Sequence, residues 1–104
     1  MGGDVYAWDE TKRLMNIAKH GIDFTTAPSL DRNNAIIQPD TRFNYGEERF
    51  IATGPIGGRL HVLVYARRIG AMAGTTIIRV ISLRKANKRE RLVYEKAMAD
   101  RADQ

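Results

Sequence analysis

The stretch RLHVLVYAR, residues 59–67, decides the fold class because its side chains alternate with a period of two. Leu60, Val62, Val64 and Ala66 form one apolar face, whereas the residues between them form a face of mixed character. Such alternation is typical of a β-strand whose two faces meet different surroundings. The stretch therefore predicts a strand.

Segments on both sides of this strand predict an antiparallel sheet. Residues 49–53 and 75–83 read as the neighbouring strands, separated from it by a glycine- and proline-containing turn at 54–58 and a loop at 70–74. Two shorter strands are predicted at 5–8 and 35–38. Within 75–83, strict alternation would place Ile77, Arg79, Ile81 and Leu83 on one face.

Capping residues predict helices before and after the strands. Asp9 is placed to cap a helix that ends at Gly21, and a second short helix is predicted near residues 25–30. Asn87 and Glu90 have the spacing of a capping box for a last helix, with residues 100–104 frayed. Five residues are expected to form its packing surface: Leu92, Val93, Tyr94, Ala97 and Met98. The prediction is a single α+β domain, residues 1–104, with two N-terminal helices, an antiparallel meander and a C-terminal helix.

Composition and charge narrow the class of function. The 104 residues include no cysteine, which excludes disulfides and thiolate metal sites and fits a cytoplasmic protein. No stretch has the length of a membrane span, and the first residues lack the pattern of a secretory signal. Residues 1–58 contain 6 Lys or Arg and 8 Asp or Glu, whereas residues 59–104 contain 11 and 4. The basic second half is typical of a protein that binds a polyanion.

Three motifs in order resemble those of the BrnT toxin family. The first is Trp8-Asp9 with Lys19-His20-Gly21, Phe24 and Ala27, the second is Gly46-Glu47-Glu48-Arg49-Phe50, and the third is Arg79 to Ala86 with Arg89-Glu90-Arg91 and Tyr94. The similarity extends from about Tyr6 to Glu95, which is most of the chain.

This resemblance implies a RelE-like fold and a toxin that stops translation by cutting RNA. It also implies a partner, a BrnA-like antitoxin with a ribbon-helix-helix DNA-binding domain. Operator DNA would then be bound only through that antitoxin.

Cutting RNA without a metal has two requirements. One is an acid–base group that moves protons, and the other is a set of cations that bind the phosphate. His20 is the first candidate for the acid–base group, although a histidine in a last helical turn can simply interact with the helix dipole. Glu48 is a second candidate base, and a structural ion pair is its alternative role. His61 is an outside candidate, expected to be half-exposed.

Arginine is the natural ligand for a phosphate because its planar fork binds two oxygens and stays charged. Arg79 and Arg84 are therefore the candidate catalytic cations, with a snorkelling arginine as the alternative for Arg79. Seven further residues are candidates for binding RNA: Lys19, Arg49, Ser82, Lys85, Lys88, Arg89 and Arg91.

No cofactor is expected, because His and carboxylate residues do not recur at metal-ligand spacing. Two other functions stay open: a module that binds nucleic acid without cutting it, and a protein-interaction domain that docks an acidic partner.

Overall fold

The computed structural model describes residues 3–103 and contains a five-stranded sheet with the order β1-β5-β4-β3-β2. Two α-helices and two short 3₁₀ helices accompany it. Along the chain these elements are β1 (Asp4–Trp8), α1 (Glu10–His20), the 3₁₀ helices Phe24–Ser29 and Arg32–Asn34, β2 (Ile36–Pro39), β3 (Arg49–Ile56), β4 (Arg59–Ile69), β5 (Thr76–Lys85) and α2 (Lys88–Ala102). In the described part of the chain, no helix is long and apolar enough to span a membrane.

The predicted α+β class and the antiparallel meander from β2 to β5 are confirmed. The β3–β4 turn is shorter than predicted, because β3 continues to Ile56 and only Gly57 and Gly58 turn the chain. The parallel pairing of β1 with β5 was not predicted. It joins strands that are far apart in sequence, so local patterns carry no signal for it.

The two N-terminal helices of the prediction are not confirmed. Helix α1 has the expected ends, since the Asp9 carboxylate accepts the Lys12 amide and Gly21 adopts a left-handed conformation. The segment predicted as a second helix is instead the 3₁₀ helix Phe24–Ser29, capped by Asp23 and containing Pro28. Pro28 has no amide hydrogen, so it cannot donate the hydrogen bond that would continue this turn as an α-helix.

A β-bulge in β5 corrects the predicted face of this strand. Val64 pairs with Ser82 but Tyr65 pairs with Val80, so Ile81 is an extra residue. The bulge reverses the alternation, and Leu83 becomes fully buried on the same side as Val80. The other side of β5 then carries Arg79, Ser82 and Arg84. The prediction that Arg79 and Leu83 share a face was therefore wrong.

The core lies between the sheet and the first 3₁₀ helix. Phe24 and Ala27 of that helix are buried against Leu63, Val80 and Leu83 of the sheet, with the edge of Trp8 packed on Phe24. The opposite side of the sheet, here called the open face, carries alternate residues of β3, β4 and β5, and within residues 3–103 helix α2 lies over part of it.

Polar contacts connect helix α2 to β5 and to the residues that precede β2. The capping box of Asn87 and Glu90 is confirmed. The predicted packing surface is wrong in part, because Leu92 is 58% and Val93 65% exposed. Tyr94 donates to the carbonyl of Asn34, and Arg101 donates to that of Ala35. The helix continues to Ala102, so the predicted fraying is wrong for residues 100–102, and Gln104 lies outside the described residues.

Gly54 allows β3 to pack closely against the residue that precedes β2. A Cβ atom at this position would lie 2.8 Å from the Cβ of Ala35 and 3.3 Å from Cδ2 of Leu30. Because overpacking in a core typically costs about 1–3 kcal/mol, we expect Gly54→Ala to lower the free energy of unfolding by that amount. Gly3→Ala is the matched control, since nothing lies within 4 Å of its new Cβ. Equal urea midpoints for the two variants would contradict this packing.

Candidate functional site

The candidate site lies along β5, next to the point where its pairing with β1 ends. Strand β1 pairs with β5 only as far as Val80, so the edge of β5 beyond this point has no strand partner in the described chain. The side chain of Asn16 takes that place. Its Nδ2 donates to the Leu83 carbonyl at 2.8 Å, and its Oδ1 accepts the Leu83 amide at 3.2 Å. Nδ2 also donates to Ile22 at 2.9 Å, which fixes the end of α1 against β5.

Replacement of Asn16 by alanine is expected to destabilise the protein. Asn16 is only 6% exposed, and its loss would leave the backbone groups of Leu83 without partners. Each unsatisfied buried group costs about 1–3 kcal/mol, so the free energy of unfolding should fall by about 2 kcal/mol or more. Urea denaturation of this variant against Thr11→Ala, an exposed change on the same helix, measures the effect. A difference near zero would show that Asn16 does not secure the edge.

Asn16 lies one turn before His20, and this places His20 beside the bulge of β5. His20, Lys19, Ile81 and Ser82 line one open groove between α1 and the strand. The pKa of His20 is lowered from 6.5 by partial burial and by the positive charges of Lys19 and Arg84. The imidazole is therefore neutral at neutral pH and can accept a proton.

Arg84 is held by Glu90 at the start of α2. Both of its Nη atoms donate to the Glu90 carboxylate at 2.7 Å, which leaves the Nε–H outside this ion pair. Oε1 of Glu90 also accepts the Asn87 amide at 2.9 Å in the capping box. These hydrogen bonds lower the pKa of Glu90, the contact with Arg84 having the largest effect. Glu90 thus stays charged and fixes the position of Arg84.

A second pair of arginines lies farther along the open face. Ala66 of β4 pairs with Arg49 of β3 on one side and with Arg79 of β5 on the other. The Cα atoms of the two arginines are therefore roughly 10 Å apart, which is two strand spacings. Arg49 forms an ion pair with Glu47 at 3.2 Å. Among residues 3–103, no carboxylate lies within ion-pair distance of Arg79.

Glu48 does not lie with these residues. It forms an exposed ion pair with Arg67 at 3.3 Å, and Arg67 lies over the ring of Phe50, which packs toward the core. This ion pair is the structural alternative that the sequence left open. His61 is buried rather than half-exposed, and its Nδ1 lies 2.7 Å from the carbonyl of Arg59.

The remaining predicted cations are exposed around the start of α2. Lys85 ends β5, and three more follow in the first turn of the helix: Lys88, Arg89 and Arg91. The structure therefore groups Lys19, His20, Ser82 and Arg84 at one place, with this exposed cluster beside it.

Asn16 and Glu90 are two residues of the site that were not identified from the sequence as functional. The sequence did contain an indication for Glu90, because a capping-box carboxylate six residues after Arg84 can reach back to the arginine. The indication for Asn16 was weaker: it is a polar residue next to Ile17, on the buried side of α1.

Comparison with known families identifies the family of this chain. The family model described as "Ribonuclease toxin, BrnT, of type II toxin-antitoxin system" matches residues 8–90, which contain Asn16, His20, Arg79, Arg84 and Glu90. No curated protein matches the chain. Since the family model covers most of the 104 residues, the chain belongs to the BrnT family of ribonuclease toxins.

Proposed function

We propose that this protein is an endoribonuclease that cuts RNA on the open face without a metal ion. The ribose 2′-hydroxyl attacks the adjacent phosphorus, and the bond from phosphorus to the 5′-oxygen breaks. The products are a 2′,3′-cyclic phosphate and a 5′-hydroxyl. This reaction needs a base, cations around the phosphate and a proton for the leaving oxygen.

His20 is the proposed general base. The observation that carries the proposal is its place beside Ser82 and Arg84 with a lowered pKa. A neutral imidazole accepts the proton of the 2′-hydroxyl, and solvent protonates the leaving 5′-oxygen at this open groove. The burial and neighbouring cations that lower the pKa keep the base active at a lower pH than a free histidine.

Arg84 and Ser82 are the proposed phosphate ligands at the cleaved bond. Glu90 holds the Nη end of Arg84, so its Nε–H can donate to a phosphate oxygen without first ordering a flexible side chain. Arg79 and Arg49 bind phosphates farther along the strand of RNA, while Lys19 and the cations around α2 attract the polyanion. Glu48, held by Arg67, is assigned no role in catalysis.

The family supports the rest of the proposal. The toxin inhibits translation in the cytoplasm and is neutralised by a BrnA-like antitoxin, whose ribbon-helix-helix domain alone contacts operator DNA. The RelE-like assignment of the fold stays a prediction. The alternative is a basic domain that binds RNA without cutting it.

Expression of the protein in cells, alone and with the gene next to its own, tests the proposal. We expect growth to stop, cellular RNA to be cut, and the neighbouring gene to reverse both effects. Normal growth with intact RNA at a good level of folded protein would contradict the proposal. RNA binding without cleavage would favour the alternative.

A further inference from the structure

Phe43 is an aromatic residue that the proposed reaction does not use, and its side chain is unusually exposed. It lies in the loop between β2 and β3 and is 69% exposed. An isolated exposed apolar residue needs no explanation by itself. The loop that carries Phe43, however, is held by a dense set of contacts.

Asp40 is the centre of those contacts. Its side chain is 1% exposed and accepts from Nε and Nη2 of Arg42, both at 2.8 Å. The hydroxyl of Tyr45 also donates to it at 3.3 Å. These contacts, with that of Arg42 the largest, hold the pKa of Asp40 at about 2. The loop therefore has a defined conformation around a buried carboxylate.

The two aromatic rings in this loop, those of Tyr45 and Phe43, form with Arg49 a small cluster that ends at Phe43. The guanidinium of Arg49 lies over the Tyr45 ring at 3.9 Å from its centre. The rings of Tyr45 and Phe43 meet edge to face, with their centres 5.8 Å apart. Tyr45 is thus held at its hydroxyl and on one ring face, and it supports the exposed ring of Phe43.

Arg49 connects this cluster to the open face, because it contacts Tyr45 and also belongs to β3. Arg49 lies in the same row as Ala66 and Arg79, so Phe43 is near the pair of arginines proposed to bind phosphates. The contact distances of 3.9 and 5.8 Å place the centre of the Phe43 ring at most about 10 Å from the Arg49 guanidinium, a separation that one nucleotide can bridge between its phosphate and its base. Aromatic side chains beside a basic groove are the usual platform for unpaired bases.

We propose that Phe43 is a stacking platform for an unpaired RNA base next to the phosphate bound by Arg49. This inference rests on the proposed function, because it assumes that RNA lies on the open face. Stacking accepts any base, so Phe43 contributes affinity and requires a single-stranded substrate, without selecting a sequence.

The surroundings favour RNA over a protein partner at Phe43. A protein hot spot is an aromatic residue in an apolar patch from which water is excluded. The groove around Phe43 is instead lined by charged residues of both signs beside its apolar ones, with Arg42 and Arg49 next to the carboxylates of Asp40, Glu47 and Glu48. A base needs only the ring face and a neighbouring cation, and both are present.

Binding of a fluorescent 2′-O-methyl oligouridine, which cannot be cleaved, tests this inference. Phe43→Ala should weaken binding on the order of 10-fold or more, because base stacking is a large part of single-strand affinity. Phe43→Trp should retain affinity, and its fluorescence should be quenched by the RNA. Ile69→Ala is the matched control, since Ile69 is 90% exposed and not aromatic.

Salt dependence separates stacking from charge. Phe43→Ala should leave the slope of log affinity against log salt unchanged, whereas Arg49→Ala should reduce it by about one. If the unchanged protein binds RNA and Phe43→Ala binds equally well, the inference is wrong. The inference is also wrong if Phe43→Ala still binds RNA normally but no longer binds the antitoxin, because Phe43 would then be a protein contact. If the unchanged protein neither binds nor cuts RNA, the proposed function itself fails.

Discussion

Replacement of His20 by alanine is expected to lower the rate of RNA cleavage about 10²–10⁴-fold, the usual contribution of a general base. RNA binding should change little, because the neutral imidazole contributes no charge to the interface. Single-turnover cleavage and equilibrium binding to a 2′-O-methyl RNA measure the two effects separately. An equal loss of both would show that His20 positions RNA and is not the base.

The pH dependence of cleavage gives a sharper test of His20. Its pKa lies below 6.5, so the base is protonated only in acid. The value of kcat/KM, which reports the protein free of RNA, should therefore fall as the pH drops through a value below 6.5, and this inflection should disappear in His20→Ala. Added imidazole should restore part of the activity of that variant. An inflection that persists unchanged would assign the base to another group.

Replacement of Arg79 by alanine is the second large expected effect. Arg79 lies on the open face without a carboxylate partner among the described residues, so its charge is available to a phosphate. Loss of a hydrogen-bonded ligand to a phosphate away from the cleaved bond costs about 1.5–3 kcal/mol of substrate binding, which lowers kcat/KM roughly 10–100-fold. We expect cleavage to fall by this amount and growth inhibition to disappear. The melting temperature should stay within a few degrees, because no buried ion pair is broken.

Arg59→Ala is the matched control for Arg79. It removes the same charge from an exposed position at the start of β4, on the side of the sheet opposite Arg79. Cleavage by this variant should be close to normal. If both variants lose activity equally, Arg79 acts only through net charge. If Arg79→Ala retains full toxicity, the proposed site is wrong.

Much of the fold could be predicted because the relevant signals are local. The alternation in residues 59–67 identifies β4, and the capping residues Asp9 and Asn87 mark the starts of both α-helices. What could not be predicted depends on contacts between distant segments. The bulge at Ile81 is fixed by pairing with β4, and the parallel position of β1 is fixed by β5.

The sequence identified individual candidate residues of the site, but it did not predict how they are arranged in space. His20, Ser82 and Arg84 are recognisable as side chains that suit the chemistry. Their arrangement depends on Asn16, which binds the edge of β5 beside Ser82 and Arg84, and on the bulge, which brings Arg79 onto the same face as these two residues. A strictly alternating strand would place Arg79 and Arg84 on opposite faces.

Incubation of the purified protein with a single-stranded RNA in excess EDTA, followed by analysis of the fragment ends, tests the central claim most directly. We predict cleavage that leaves 2′,3′-cyclic phosphate and 5′-hydroxyl ends and that is lost in His20→Ala. Cleavage that requires a divalent cation and leaves 5′-phosphate ends, or intact RNA with folded protein, would contradict the account.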